Sequence, residues 1–533
     1  MTEVKEEKTL AEEMGEKIKE ISIAEFFEKN KHLLGYENPT KSLLTVVKEF
    51  FDNSLDACLE ARILPTIKVS IKEVKENVYR IVVEDNGPGL PPDKIPIAFG
   101  KFLVGSKFMR LRQNIGTQGI GAKGAILYAQ LTTGKPAKIT TYFKGKKYEI
   151  ELSIDVIRNE PKVISRKEEP IEKNLHGLKV EVFVEGRYIE KGQSIPTYLK
   201  YIWITNPFTK IVYDGPNSSF TLERVVNELP KEPKEIKPHP YGVELGRLKR
   251  MVHMTKSRNV VGFLTSEFSR IGRDSALSIC KIAKVDQEKK PSELTDEEIE
   301  RLHKAMQSVK LMSPPTDCLS ALKEEYLAES LKKEFEPEFV VAVVRKPAVY
   351  RGYPFQVQVG LAYGGKIQEI TQEAILLRFA NHTPLLYNQS DCAITRAVEE
   401  VDWGNYRLPR NSKGLPPAPL VILVDLISVW IPYKSEGKQA IAEYPEIIKE
   451  VKLALQEAGR KLSIYLHKKF VREHLAMRAN IFEAYSEVFS EFVSDLTGKP
   501  KEYIKNKLIE IIRRGEYKDG EEKKMKEEVI EVK

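Results

Sequence analysis

A chain of 533 residues is too long for one compact core, so its length implies three or four domains. Its 85 basic and 77 acidic residues leave a net charge of +8, a dense mixture of signs that serves solubility first and is weak evidence for a nucleic-acid partner. No apolar run is long enough to span a bilayer, and the first residues (MTEVKEEKTLAEEMGEK) are charged rather than signal-like, which excludes a membrane role. The four cysteines, Cys58, Cys280, Cys318 and Cys392, are far apart with no CxxC pair. That argues against a disulfide framework and a zinc site, and for a reducing cytosol.

Residues 1–20 are polar with no clear partner face. From Ser22 the pattern becomes helical, and Pro39-Thr40 opens a strong helix to about Ala61, with Thr40 as the expected N-cap. Two alternating runs follow, Ile67–Ile71 and Val78–Val83, which read as neighbouring strands. Asp85 to Pro92 is rich in Gly and Pro, residues 93–124 are loops and short helices, and Ala125–Leu131 reads as a helix leaving them. From Lys138 to about Tyr213 the chain reads as strands and hairpins, for instance Ile139–Phe143 turning at Lys144-Gly145 into Tyr148–Leu152. Leu229–Pro240 (LPKEPKEIKPHP) has linker composition and marks a first boundary. An all-helical segment runs to about Val309, and Met312–Pro315 marks a second linker. Residues 335–440 return to strand and helix, including the apolar strand Leu420–Leu426 and a helix at Cys392–Val401. From about Ala440 to Thr497 the pattern is long helix, and the last residues are nearly all charged.

Three stretches carry chemistry. On the first strong helix Glu49, Asn53 and Asp56 are spaced i, i+4, i+7 and share one face. Such a face is usually just solvated, yet carboxylates with an amide also suit a metal-phosphate site, because magnesium takes hard oxygens and keeps several waters. The strand Val78–Val83 ends in Glu84-Asp85-Asn86-Gly87-Pro88-Gly89, which alone is only good turn chemistry. Gly116-Thr117-Gln118-Gly119-Ile120-Gly121-Ala122-Lys123-Gly124 contains GxGxxG, but no buried parallel strand precedes it, and no GxxxxGK[ST] is present.

Taken together, ExxxNxxDA (Glu49–Ala57), DxGxG (Asp85–Gly89) and a Gly-rich lid resemble the GHKL ATPase superfamily. The resemblance implies ATP and Mg2+ as cofactors and assigns the roles. Glu49 is the expected catalytic base that polarises the attacking water, and Asn53 the magnesium ligand. Asp85 would accept the adenine amino proton while Gly87 and Gly89 admit the base. Gly116, Thr117, Gln118, Gly119, Ile120, Gly121, Ala122 and Lys123 would present the lid to the phosphates. Ser106 and Lys107 fall where the family makes polar nucleotide contacts, whereas Asp52 and Asp56 carry no assigned role beyond structure.

The rest of the chain narrows the resemblance. Between Arg247 and Lys290 eleven basic residues face four acidic ones. The run Phe263–Arg273 (FLTSEFSRIGR) followed by Ser275-Ala276 is similar to a helix-two-turns-helix module. Phe355–Gly364, Leu377–Tyr387 and Leu420–Tyr433 look like the transducer of the topoisomerase VI B-subunit family, the type IIB enzymes of archaea. In Ile431–Lys438 (IPYKSEGK) the family's γ-phosphate lysine corresponds to Lys438, with Lys434 as the competitor.

The expected fold is α+β multidomain: an N-terminal strap (1–22), a Bergerat-type GHKL ATPase sandwich (23–237), an inserted helix-two-turns-helix domain (238–310), an α/β transducer domain (311–475), and a helical C-terminal region with a charged tail (476–533). The implied function is the ATP-hydrolysing subunit of a type II DNA topoisomerase, cytoplasmic and nucleoid-associated. It dimerises on ATP and works on a DNA duplex beside a DNA-cleaving A subunit in a heterotetramer, with no membrane contact. No tyrosine nucleophile motif for cleavage is evident. The competing reading is a DNA-binding scaffold or repair clamp that uses ATP only for conformational control.

Overall fold

The computed structural model describes residues 9–108, 110–116, 119–171, 175–409, 414–435 and 437–511. It divides into two compact units, Met1–Gly404 with Leu408–Gly459, and Asn405–Arg407 with Arg460–Lys533.

The first unit opens with helices α1 (Leu10–Glu16), α2 (Ile23–Lys29) and α3 (Pro39–Glu60), then strands β1 (Thr66–Lys75) and β2 (Val78–Asp85). Helices α4 (Ile95–Gly100) and α5 (Gly121–Thr133) follow. Next come β3 (Ala137–Phe143), β4 (Lys146–Asp155), β5 (Glu160–Pro170), β6 (Gly177–Glu185), helix α6 (Ile195–Thr205), β7 (Lys210–Asp214) and β8 (Ser219–Leu222). The strands form one eight-stranded sheet in the order β5-β4-β3-β6-β2-β1-β7-β8, antiparallel except for β1 beside β7. Alternation sets its faces: Ile67, Val69 and Ile71 of β1 point inward with Ile81 and Val83 of β2, and α3, α5 and α6 cover that side.

Three expectations need correction here. The N-cap of α3 is Asn38, not Thr40: its side chain accepts the Lys41 amide, and Pro39 takes the first helical position, where no N–H is needed. The stretch expected to be all strand and hairpin contains α6. That helix has Ser194 as cap, Pro196 in its first turn, and Ile195, Tyr198, Leu199, Ile202, Trp203 and Ile204 all buried. A helix apolar on nearly every side shows no helical period, so its β-branched run imitates strand. Helix α5 also starts earlier than expected, because the glycine-rich stretch forms its first turn.

Four helices, α7 (Leu245–Met254), α8 (Val260–Glu267), α9 (Arg273–Ala283) and α10 (Asp296–Ser308), then close around their own core of Leu248, Phe263, Leu264, Ile279, Leu302 and Met306. The chain continues through α11 (Glu324–Phe335), β9 (Phe339–Val344), β10 (Ala348–Tyr350), β11 (Tyr353–Tyr363), α12 (Ile367–Ile370), β12 (Ile375–Ala380), β13 (Thr383–Pro384), α13 (Ala393–Glu399) and β14 (Leu420–Ser428). These strands make a six-stranded sheet ordered β10-β11-β14-β12-β13, with β9 also on β11. Strand β14 is buried along its whole length, as expected for a central strand covered on both faces. The apolar core of the first sheet continues into this layer through Leu327, Leu331, Phe379, Val421 and Leu423. The last helix, α14, spans Pro445–Thr497.

Helix α11 lies so close over β11 that a Cβ on Gly360 would stand 2.4 Å from Leu331 Cδ1. Gly360→Val should therefore destabilise the protein by about 1–3 kcal/mol through overpacking, seen as a lower first thermal transition. An unchanged transition would mean that α11 shifts freely.

Candidate functional site

Helix α3 supplies the first wall. Leu43, Val46, Val47, Phe50, Phe51 and Leu55 bind it into the core, which leaves Glu49 half-buried and Asn53 exposed on a cavity of about 330 Å³. Strand β2 supplies the floor by ending at Asp85, which is only 7% exposed. Its Oδ1 accepts the amides of Gly87 at 2.8 Å and Leu178 at 3.2 Å. Burial pushes the Asp85 carboxyl above its usual range, against these amides and the Ser54 hydroxyl. The chain must approach itself closely here. A Cβ on Gly89 (φ +70°) would come 2.9 Å from the Tyr142 carbonyl, and one on Gly177 (φ +134°) 2.2 Å from the Asp85 carbonyl. His176 Nδ1–H donates to the Gly87 carbonyl at 2.8 Å and ties the two loops together.

The segment between α4 and α5 forms the opposite wall, held by charge. Lys107 Nζ lies 2.5 Å from Asp56 Oδ2 and 3.1 Å from Glu60, and Glu60 also receives Arg110 at 2.6 Å and Arg112 at 2.8 Å. Burial works against the Glu60 charge, but these three cations hold its carboxyl below the usual range. The Gly116 amide points to the same Asp56 oxygen at 3.4 Å. Asp56 therefore ties together two points on that wall. Behind it, Lys123 is 7% exposed and donates to the Val104 carbonyl at 2.8 Å; burial draws its pKa down to about 8. The Glu49 carboxylate packs onto the first residue of α5 so tightly that a Cβ on Gly121 would lie 1.7 Å from its Oε2. The helix N-terminus, rich in unsatisfied amides, favours negative charge in that position.

The second sheet closes the cavity. After β14 the chain turns back, and Lys438, in the left-handed region at φ 51°, reaches the Ile115 carbonyl with Nζ at 3.4 Å. Burial lowers the pKa of Lys438, while the nearby Glu49 charge opposes that shift. Lys434 points elsewhere, to Asp391 and Glu443. Leu386 and Tyr387 complete this side, with the Lys41 ammonium 4.7 Å from the Tyr387 ring centre. Beneath Glu49, Lys48 lies 3.1 Å from Asp52 and 3.8 Å from Glu49, and Asp52 also accepts the Tyr198 hydroxyl. Burial disfavours the Lys48 charge, but Asp52 and Glu49 hold its pKa above the usual lysine range.

One cavity is thus lined by Glu49, Asn53, Asp85, Gly89, Ser106 and Lys107, by Gly116 and Gly119 to Lys123, and by Lys438. Gly87 stands behind the floor rather than on it, with its amide on Asp85. Thr117 and Gln118 lie outside the described residues. Spacing did not reveal Lys48, His176, Gly177, Leu178 and Tyr387, nor the tying role of Asp56. The sole local signal was the His-Gly pair ahead of β6, and its partner loop is about ninety residues upstream.

Residues 41–181 match the family model described as "Histidine kinase-, DNA gyrase B-, and HSP90-like ATPase", and residues 314–478 match "Topoisomerase VI B subunit, transducer". The chain is 48% identical over 461 residues to the B subunit of type 2 DNA topoisomerase 6 from Archaeoglobus fulgidus, covering 86% of this chain and 76% of that one. With the Pyrococcus horikoshii protein of the same name it shares 38% identity over 551 residues, covering 94% and 96%. The solved ATPase region of Saccharomyces cerevisiae topoisomerase II covers 84% of this chain with all of its own length, at TM-score 0.39 and 11% identity, too distant to bear on any residue.

Asp56→Asn should weaken the hold on Lys107 and Gly116 together. Amides in 104–116 should then exchange with solvent at least about tenfold faster, measured by hydrogen–deuterium exchange. Unchanged protection would show that Asp56 does not secure this wall.

Proposed function

Because this chain belongs to the family of type 2 DNA topoisomerase 6 B subunits, we propose that the cavity is where it binds and hydrolyses ATP to drive one DNA duplex through a break in another. The observation that carries this reading is the shared cavity itself, in which an acid, an amide oxygen, a buried aspartate, a glycine-rich helix start and a distant lysine converge.

The chemistry follows from those groups. Asp85 accepts the amino group of adenine; guanine would present a carbonyl there and be repelled. The amides at the start of α5, with Gly116 and Gly119 ahead of them, face the phosphates, helped by the partial positive charge of the helix end. Lys107, Lys123 and Lys438 line the same space, and Lys123 and Lys438 rest on carbonyls rather than carboxylates. A triphosphate offers such ammonium groups a stronger partner. Glu49, as general base, orients the attacking water and takes its proton.

For the metal, the exposed Asn53 oxygen on the cavity wall fits as a single protein ligand. Among the described residues no three His, Cys, Asp or Glu side chains cluster to hold an ion by themselves. Such an ion would rely on phosphate and water oxygens besides Asn53. Bound magnesium supplies charge neutralisation across the phosphates.

Lys438 lies on the chain that leaves the second sheet after β14, so its attraction to the terminal phosphate links nucleotide state to the position of that layer. Membership of the family implies DNA and a DNA-cleaving A subunit as partners. ATP-dependent self-dimerisation, a heterotetramer with A and a cytoplasmic, nucleoid-associated location extend the proposal. So do a helix-two-turns-helix domain at 238–310, a transducer at 311–475, a helical C-terminal region from 476, and a long helix from about Glu443 that leads toward the A subunit. No helix among the described residues is long and apolar enough to cross a membrane.

Two measurements test the roles. Glu49→Ala should keep ATP affinity within a few-fold while turnover falls about 10²–10⁴-fold; near-normal turnover would remove Glu49 as the base. Lys438→Ala should slow hydrolysis more than Lys434→Ala in the same assay, and the reverse ranking would transfer the role to Lys434.

A further inference from the structure

The tight turn between β12 and β13 is a junction that the nucleotide reading does not use. Its two residues, Asn381 and His382, are both non-glycine and both in the left-handed region, at φ 49° and 66°. Each is nearly sealed from solvent, at 7% and 5% exposure. Their bonds run to four different parts of the first unit. The His382 carbonyl accepts Thr205 Oγ1 at 2.7 Å and Asn206 Nδ2 at 3.1 Å, at the end of α6 beneath the first sheet. Asn381 Nδ2 donates to the Asn114 carbonyl at 3.1 Å, two residues ahead of the cavity-lining Gly116. Asn381 also pairs with the backbone of Ser428 at the end of β14, through 2.9 Å and 3.0 Å bonds.

The ring carries the fourth connection. His382 Nδ1 lies 2.7 Å from Asp425 Oδ2, and Nε2 lies 2.9 Å from the Ser320 carbonyl. With Asp425 ionised both partners accept, so both ring nitrogens donate and the ring is held as an imidazolium. Burial disfavours that charge, yet Asp425 and Ser320 hold the His382 pKa above its ordinary value. Asp425, fully buried on β14, also accepts the His382 amide at 3.2 Å and Gln358 Nε2 at 3.0 Å. The Ser320 amide donates to Gln113 Oε1 at 2.6 Å, which returns the chain of bonds to the segment that holds Asn114 and Gly116.

The position of this junction matters. Strand β14 holds Asp425 and Ser428, and the chain leaving it delivers Lys438 to the cavity. Three to five residues beyond His382, Leu385 is buried and Leu386 and Tyr387 line the same cavity. A second cavity of about 60 Å³ lies against the junction, bordered by Asp56, Gln113, Asn114, Ser320, Asn381 and His382. Asp56 borders both cavities. A buried ion pair is a poor way to gain stability, because desolvation of both charges offsets their attraction. What it does well is favour one arrangement of its neighbours over others.

The geometry points to His382 as a positioning residue: its imidazolium, held between Asp425 and Ser320, transmits movement of the cavity wall to the second sheet, so that ATP turnover is coupled to DNA passage. This rests on the topoisomerase reading above. Without the charged ring the remaining bonds still hold the wall and Lys438 in place for ATP binding and hydrolysis, but movement of the wall is passed to β14 less completely.

The test uses the complete enzyme, this chain with its DNA-cleaving A subunit, and measures ATP hydrolysis and supercoil relaxation in the same reactions. In His382→Gln, the KM for ATP should stay within about twofold and kcat above half of normal. Relaxation events per ATP consumed should fall at least tenfold. Thr205→Val, which removes one bond to the His382 carbonyl and keeps the ring, should lower the same ratio about two- to threefold and stands as the test should His382→Gln fail to fold. A parallel loss of both activities with an unchanged ratio, or no change in either variant, would overturn the coupling role. Wild-type enzyme that hydrolyses ATP but never relaxes DNA would instead overturn the topoisomerase reading, and this inference with it.

Discussion

The segment Leu111–Ile115 satisfies much of its backbone with partners far along the chain, and that constraint organises the molecule. The Gln113 amide bonds the Cys318 carbonyl at 3.0 Å, and its side chain accepts the Ser320 amide at 2.6 Å. Asn381 binds the Asn114 carbonyl, Ile236 donates to the Leu111 carbonyl at 3.0 Å, and Lys438 reaches the Ile115 carbonyl. A buried backbone group left unpaired costs about 1–3 kcal/mol. Moving the second sheet away would break several of these bonds together. The wall of the cavity and the second layer are therefore joined at several points, and Lys438 is one of them.

Charge is distributed in the cavity to suit a polyanion. Two carboxylates of α3 are engaged: Asp56 by Lys107, Asp52 by Lys48 and Tyr198. Glu49 lies against the start of α5, where the helix end already favours an anion. Against these, Lys123 and Lys438 are held by carbonyl oxygens, and burial lowers the pKa of both. Desolvated ammonium groups with neutral partners gain most from a phosphate, because its charge repairs the cost of their burial.

Much of this was legible in the sequence, and what was not has physical reasons. The period of α3 separated its core face from Glu49, Asn53 and Asp56, and the alternation in β1 and β2 placed Asp85 at a strand end. Three weak motifs became strong only in combination, since a pocket assembled from separate segments leaves a partial mark in each. Helix α6 escaped because its burial on nearly all sides erases periodicity. Asn38 rather than Thr40 caps α3 because Pro39 occupies the first helical position, which makes the residue before the proline the cap. Gly177 and His176 bind the Asp85–Gly89 loop from β6, a neighbour in the sheet but distant in the chain. Asp56, read as structural, proved to tie the cavity wall through Lys107, a contact across about fifty residues that no local spacing encodes. His382 and Asp425 are likewise brought together only by the parallel pairing of β12 with β14.

The central claim is that segments scattered from Glu49 to Lys438 surround a single Mg-ATP. A structure of the full enzyme with a non-hydrolysable ATP analogue and magnesium tests it most directly. The account predicts adenine against Asp85, the metal on the Asn53 oxygen, phosphates over the start of α5, and the Lys438 ammonium on the terminal phosphate. An analogue bound with Asp85 or Lys438 remote from it, or seated outside this cavity, would contradict the account.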